Sequence, residues 1–168
     1  ATNEAASLAS GDYILLMDND DELAHSALHE FYQKIKKDGS EILYSDMDII
    51  DAKGRTRDPL CKPDWSPDLF LSQMYLGHLV GFKKSLFDEV GGFRSEFNGS
   101  QDYDLLLRMT EKTDKIGHVA EILYHWRDLP SSTAANPESK PYAQIAGLNA
   151  IQEHLNRVYG SGKAIAHE

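Results

Sequence analysis

Cysteine, long apolar runs and positive charge are all scarce in this chain, and each scarcity excludes a class of protein. A single cysteine, Cys61, has no partner for an internal disulfide, which fits a reducing compartment. No apolar run approaches the roughly 20 residues that cross a bilayer. Lys and Arg number 17 against 27 Asp and Glu, so the formal net charge is -10. Because nucleic-acid binding relies on basic side chains at phosphates, we expect no nucleic-acid partner.

The chain does have alternating strand and helix patterns. An apolar run over 13–17 reads as a strand buried on both faces, and apolar spacing over 23–37 indicates an amphipathic helix. A second short strand is predicted over 42–44, and the Pro- and Ser-rich stretch 128–140 reads as a loop. This alternation predicts an α/β fold. A chain of 168 residues suffices for one domain, which we expect over 1–160, with a disordered tail over 161–168.

Acidic residues follow both predicted strands. The run Asp18-Asn19-Asp20-Asp21 comes directly after the first, and Asp46 and Asp48 follow the second. Ligand sites in α/β sheets lie beyond the carboxyl ends of strands. Carboxylates this close repel one another unless a cation such as Mg²⁺ or Mn²⁺ lies among them. The alternative is a solvated turn in which Asp21 caps the next helix.

Three later residues could also take part in chemistry. Asp102 opens a predicted helix, where it could cap the exposed amides, act as a general base, or do both. His125 lies at a strand end and could complete a metal site, although lone histidines are more often structural. Arg127 has the planar donor geometry that suits a diphosphate.

Several segments together resemble the inverting family 2 glycosyltransferases of the GT-A fold. Their order matches the branch that builds bacterial surface polysaccharides, including rhamnosyltransferase-like and O-antigen enzymes. The run Gly11-Asp12-Tyr13-Ile14 followed by Met17-Asp18-Asn19-Asp20-Asp21 is similar to the DxD region of that family. The further matching segments are Tyr44-Ser45-Asp46, Lys62-Pro63-Asp64-Trp65-Ser66-Pro67-Asp68, Gly91-Gly92-Phe93, Gly99-Ser100-Gln101-Asp102-Tyr103-Asp104 and Tyr124-His125-Trp126-Arg127.

This resemblance implies a fold, a reaction and a set of roles. The fold would be the C-terminal part of a GT-A domain, a mixed sheet flanked by helices. The reaction would move a sugar from a UDP-, dTDP- or GDP-sugar to a saccharide or lipid-linked saccharide, with inversion. Asp102 would be the catalytic base, although Gln101 replaces the acid that usually precedes it. The remaining implied roles are metal binding by Asp18, Asp20 and His125 with Mn²⁺ or Mg²⁺, nucleotide-sugar binding by Asp18, Asp20, Asp21 and Arg127, and donor or acceptor contacts by Asp46, Lys62, His78, Gln101 and Trp126.

The resemblance also implies what this chain does not contain. Family members begin with an apolar strand and a nucleotide-binding βαβ unit, whereas this sequence starts just before the DxD strand. We therefore expect weak or no transfer by this chain alone, and a homodimer through the exposed sheet edge. We expect a cytoplasmic location, at the inner face of the membrane where acceptors are lipid-linked.

Two other functions fit part of the pattern. A metal-dependent nucleotidyltransferase would also use paired acids, but no Gly-rich or basic phosphate loop is visible. A non-catalytic carbohydrate-binding fragment would explain aromatic residues in loops, but not acids after two strands.

Overall fold

The computed structural model describes residues 1–128 and 141–166, and helices and strands alternate along them. The loop predicted over 128–140 lies outside these residues, apart from Asp128. The described helices are α1 (Thr2–Leu8), α2 (Ala27–Asp38), α3 (Pro67–Ser72), α4 (Lys84–Glu89), α5 (Gln101–Thr110) and α6 (Pro141–Tyr159), with a 3₁₀ turn at Ser95–Phe97. The described strands are β1 (Tyr13–Leu16), β2 (Glu22–Leu23), β3 (Ile42–Ile50), β4 (Thr56–Leu60), β5 (Val80–Lys83) and β6 (Ile116–Arg127).

The strands form one mixed sheet in the order β1-β5-β3-β6-β2, with β4 paired to β3. The two long strands β3 and β6 run parallel, and the other neighbours are antiparallel. A mixed sheet with helices confirms the predicted α/β class. No helix among the described residues is long and apolar enough to cross a membrane.

Strand β3 lies at the centre of the sheet and is buried along most of its length. Its first residues form an apolar run, as expected for a strand covered on both faces. Helix α2 turns its apolar face towards the sheet and ends at Gly39, which adopts the left-handed conformation (φ 69°) that glycine allows. The core beneath this helix contains Ala27, Phe31, Leu43, Leu79, Val119, Leu123 and Tyr124.

Two strand predictions need correction. Strand β1 is not buried on both faces: it lies at one end of the described sheet, and its four residues are all half-exposed. Strand β3 does not stop at Tyr44 but continues through Asp46 and Asp48 to Ile50. It can do so because histidines on β6 lie within hydrogen-bond distance of both carboxylates.

The chain divides into two compact units. One comprises Gly11–Lys84 together with β6 and therefore contains the whole sheet; the other comprises Ala1–Ser10, Ser85–Asp114 and α6. In the helical unit α5 packs against α6 and the 3₁₀ turn. The single domain expected over 1–160 stays a prediction.

The predicted tail of 161–168 is described only as far as residue 166. These residues have no regular secondary structure. Even so, the Ala164 amide donates to Gln152 Oε1 (3.0 Å), and the Gln152 side-chain amide donates to the Gly162 carbonyl (3.1 Å). The disorder expected for this tail stays a prediction, and residues 167 and 168 lie outside the described range.

Candidate active site

The acidic turn after β1 brings together two carboxylates and one imidazole. One ligand atom each of Asp18, Asp21 and His78 lies within 4.8 Å of the others. The Asp18 side chain is 60% exposed, whereas Asp21 is only 6% exposed. Among the described residues, no Lys or Arg side chain pairs with either carboxylate. Two carboxylates and an imidazole suit a divalent cation such as Mn²⁺.

Tyr124, on β6, fixes the geometry of this turn. Its hydroxyl donates a short hydrogen bond to Asp21 Oδ2 and accepts one from the Asp18 amide (3.1 Å). The Arg127 amide donates to Asp21 Oδ1 (2.8 Å). Burial, reinforced by the hydrogen bond to Asp21, raises the pKa of Tyr124. The phenol therefore stays protonated and remains a donor to the carboxylate.

Asp20 and Arg127, both predicted to bind the nucleotide-sugar, are hydrogen-bonded to each other. Arg127 Nε donates to the Asp20 carbonyl (2.6 Å), and its guanidinium also pairs with Glu22. The Asp20 carboxylate is exposed and lies outside the three-residue cluster. Asp21 does not cap the next helix: that helix is α2, and its N-cap residue is Ser26.

His125, the histidine predicted to bind metal, is also outside the cluster. Its Nδ1 lies 2.6 Å from Asp48 Oδ1, and the two residues are directly paired in the parallel β3–β6 ladder. A carboxylate on Nδ1 leaves Nε2 as the acceptor nitrogen, which is the usual arrangement of metal-binding histidines. The metal-binding role expected for His125 therefore stays a prediction.

Asp46 and Lys62, predicted to contact sugar, are buried and have partners within the protein. Asp46 Oδ1 accepts the Lys62 amide (2.8 Å) and lies 2.9 Å from His118 Nε2. Lys62 is 7% exposed, and burial lowers the pKa of its ammonium to about 8, against the opposing influence of Asp46. Trp126 packs on the core.

Asp102, the predicted base, lies in the helical unit. It occupies the first turn of α5, whose N-cap is Ser100. The residue before it, Gln101, accepts the Gly99 amide through Oε1 (2.7 Å). An acid in a first turn is stabilised by the helix dipole, which accounts for its position and leaves its role as a base a prediction.

Sequence reasoning gave no role to Tyr124 or His118, and it linked His78 to sugar instead of to the acidic turn. The period-two pattern of β6 could have indicated Tyr124, because alternate residues of a strand share one face. Nothing local indicated His78, which lies in an irregular segment far along the chain from Asp18.

Residues 1–94 match the family described as glycosyl transferase family 2, and the chain belongs to this family. The fold and the family membership expected from the motifs are therefore confirmed. Membership of this family favours the transferase interpretation over the nucleotidyltransferase and carbohydrate-module alternatives.

Two curated relatives align along nearly the whole chain. Uncharacterized protein y4gI of Sinorhizobium fredii (strain NBRC 101917 / NGR234) is 44% identical over 163 residues, covering 95% of this chain and 18% of that protein. O-antigen biosynthesis protein RfbC of Myxococcus xanthus is 38% identical over 158 residues, covering 94% of this chain and 12% of that protein. The chain thus spans less than a fifth of the length of these relatives.

Solved structures of S. aureus TarS 1–349 share the fold. In complex with UDP-GlcNAc, that protein superposes with a TM-score of 0.70 and 16% identity, covering 92% of this chain and 45% of that chain. The structure described without a ligand gives a TM-score of 0.66 and 17% identity, covering 92% and 43%. At this identity the likeness shows the GT-A fold alone.

Proposed function

We propose that this chain belongs to an enzyme that transfers a sugar from a nucleoside-diphosphate donor to an acceptor hydroxyl, using a divalent cation at the acidic turn. The observation that carries the proposal is the cluster of Asp18, Asp21 and His78, which has no Lys or Arg partner within the described residues. A bound cation would stabilise the negative charge that grows on a departing diphosphate.

The donor and acceptor are proposed from the relatives. TarS was solved with UDP-GlcNAc and with UDP, which makes a UDP-sugar the first donor to test. RfbC is named for O-antigen biosynthesis, which favours a saccharide or lipid-linked saccharide acceptor in surface polysaccharide synthesis. A lipid-linked acceptor would bring the enzyme to the inner face of the membrane.

The chemistry follows from the groups that we assign. Asp102 takes the proton of the acceptor hydroxyl, whose oxygen then forms a bond to the anomeric carbon. The bond from that carbon to the diphosphate oxygen breaks in the same step, so the configuration inverts. Asp18 and Asp21 would hold the cation, which would stabilise the charge on the leaving diphosphate, and the Tyr124 hydroxyl holds Asp21 through its hydrogen bond. Asp18 with Asp20 and His125 is the alternative ligand set.

The binding part of the proposal is tested by calorimetry with UDP as the probe. We expect UDP to bind about tenfold or more tightly in Mn²⁺ than in EDTA, since a cation held by the carboxylates would offset the negative charge of the diphosphate. Asp18→Asn should remove this difference. Equal UDP affinity with and without Mn²⁺ in the unsubstituted chain would contradict the proposal.

The transfer part is tested on the product. Turnover of UDP-GlcNAc with a saccharide acceptor is expected to be slow in this chain, so the reaction is followed over long incubations. The anomeric configuration of the product by NMR reports inversion, and Asp102→Asn should lower the rate by about 100-fold or more. Retention of configuration would rule out the single displacement.

The homodimer also remains a proposal. Strand β1 lies at the end of the described sheet, and the neighbouring helix α2 exposes Leu28 and Tyr32. Sedimentation at rising concentration tests it: a strict monomer would contradict it.

A further inference from the structure

Lys62 places a buried ammonium where the segment before β5 turns. Its Nζ donates to the Leu76 carbonyl (2.6 Å) and to the His78 carbonyl (2.7 Å). Two carbonyls separated by one residue therefore point at the same charge. Hydrogen bonds from a charged donor are about twice as strong as neutral ones, so this ammonium holds the turn firmly.

The lysine is itself anchored to the central strand. Its amide donates to Asp46 Oδ1 (2.8 Å), and the hydroxyl of Tyr44 donates to the Pro63 carbonyl (2.7 Å). Both anchoring residues belong to β3, the most buried strand of the sheet. The backbone from which the ammonium extends is therefore held to the most buried strand of the sheet.

The turn that Lys62 holds has the shape needed to face an ammonium. Gly77, between the two carbonyls, adopts φ 46°, a left-handed conformation that favours glycine. A Cβ at this position would lie 3.8 Å from the Nζ of Lys62. The chain thus wraps closely around the charge, with carbonyls on either side of the glycine.

The same turn carries the His78 ring, which lies beside the acidic turn. His78 Nδ1 lies 3.9 Å from Asp18 Oδ2, and its ring centroid is 5.3 Å from that of Tyr124. The ring lies with Asp18 and Asp21 in the cluster, and its position depends on the backbone that carries it. Lys62 fixes that backbone through the carbonyl of His78 itself.

We propose that Lys62 is a positioning residue, which holds the turn at 76–78 so that the His78 ring faces the acidic turn. In this role its ammonium binds protein carbonyls and does not contact sugar or diphosphate. The inference rests on the proposed function in one respect, that the cluster binds a divalent cation. Groups that orient metal ligands typically change metal affinity by about 10- to 100-fold when they are removed.

The test begins with Lys62→Met, which keeps the length of the side chain and removes its donors. Lys62→Gln is a milder second variant, which retains amide donors should the methionine variant not fold. Lys83→Met is the matched control, because it removes a more exposed lysine of the same sheet unit, which pairs with Glu41. Each variant is first checked for cooperative unfolding.

A metal-free measurement reads the positioning directly. The ring signals of His78 are followed by NMR, assigned through His78→Gln, with the exposed His25 and His29 as internal references. We expect the His78 signals to shift in Lys62→Met while those of His25 and His29 stay in place, and all three to stay in place in Lys83→Met. Unchanged His78 signals in folded Lys62→Met would overturn the inference.

Chemical rescue separates the ammonium from general packing. Cys61 is the only cysteine, so Lys62→Cys in a Cys61→Ser background can be aminoethylated selectively while unfolded and then refolded. This restores an ammonium on a side chain of lysine length. We expect the His78 signals to return to their original positions, and failure to return would count against a role for the charge.

The metal arm tests whether Lys62 acts through His78. Mn²⁺ affinity should fall about tenfold in Lys62→Met, but less than about twofold when His78→Ala is already present, because the two changes act on one ligand. Losses that multiply would overturn action through His78. Absence of Mn²⁺ binding by the unsubstituted chain would instead refute the proposed function, while the ring signals would still decide the positioning.

Discussion

Two buried aspartates, one in each compact unit, differ in the groups that surround their carboxylates. Asp104 in the helical unit is 1% exposed and pairs with two guanidinium groups, those of Arg94 and Arg108. Asp21 in the sheet unit is 6% exposed, and among residues 1–128 and 141–166 its carboxylate accepts hydrogen bonds from a phenol and a backbone amide and pairs with no guanidinium. The first charge is neutralised by the two guanidinium groups, and the second is the one for which we propose a cation.

The pKa of Asp104 reflects this neutralisation. Burial alone would raise the pKa of its carboxyl, but hydrogen bonds from Arg94 and Arg108 outweigh burial and lower it. Arg108 also donates to the carbonyls of Val90 and Gly92. This buried pair therefore ties α5 to the segment before it, which is a structural role.

The largest effect is expected from Asp104→Asn. Removing one partner of a buried ion pair leaves uncompensated charge, which typically costs about 3–5 kcal/mol. Urea unfolding should show a loss of this size in the free energy of unfolding, whereas Asp58→Asn, an exposed acid paired with Arg57, should change it by less than about 1 kcal/mol. A loss below about 1 kcal/mol for Asp104→Asn would contradict the comparison.

The same pair predicts a pH dependence. Because the pKa of Asp104 is lowered in the folded state, its contribution is present above the unfolded value of about 3.9 and is lost as pH falls through the folded value. The stability difference between the unsubstituted chain and Asp104→Asn should therefore be constant from pH 7 to 5 and shrink below about pH 4. A difference that stays constant down to pH 2 would refute this assignment.

A smaller effect is expected from Tyr124→Phe, which leaves Asp21 Oδ2 without its donor. An unsatisfied buried acceptor costs about 1–3 kcal/mol. Tyr13→Phe is the matched control, because the hydroxyl of Tyr13 donates to the neutral Ser40 carbonyl (2.8 Å) in a more exposed place. Equal losses by thermal unfolding would mean that the charge on Asp21 is not what Tyr124 stabilises.

The sequence predicts those parts of the fold and the site that depend on neighbouring residues. Apolar runs and glycines located most helices and strands, including the end of α2 at Gly39. The acidic turn was predicted because it is contiguous in sequence. The sequence predicts Asp46 beyond the end of its strand. Nothing local indicates that His118, on a parallel strand, lies within hydrogen-bond distance of this carboxylate inside the sheet.

The position of His78 is the part of the site that the sequence predicts least well. Its place beside Asp18 depends on a turn held by Lys62, and therefore on contacts between three separate segments. The motif resemblance pointed instead to Asp20 and His125 as partners of Asp18. Sequence separation hides such contacts because no periodic pattern connects them.

The most direct test is a calorimetric titration of Mn²⁺ into the chain and its variants. We predict saturable binding that Asp18→Asn and His78→Ala each weaken by about tenfold or more, with Asp58→Asn as the control of equal charge change. Weakening by His125→Ala and Asp20→Asn in place of His78→Ala would transfer the site to the alternative ligands. Affinity that is the same in Asp18→Asn as in the unsubstituted chain, or no binding at all, would contradict a cation site at the acidic turn.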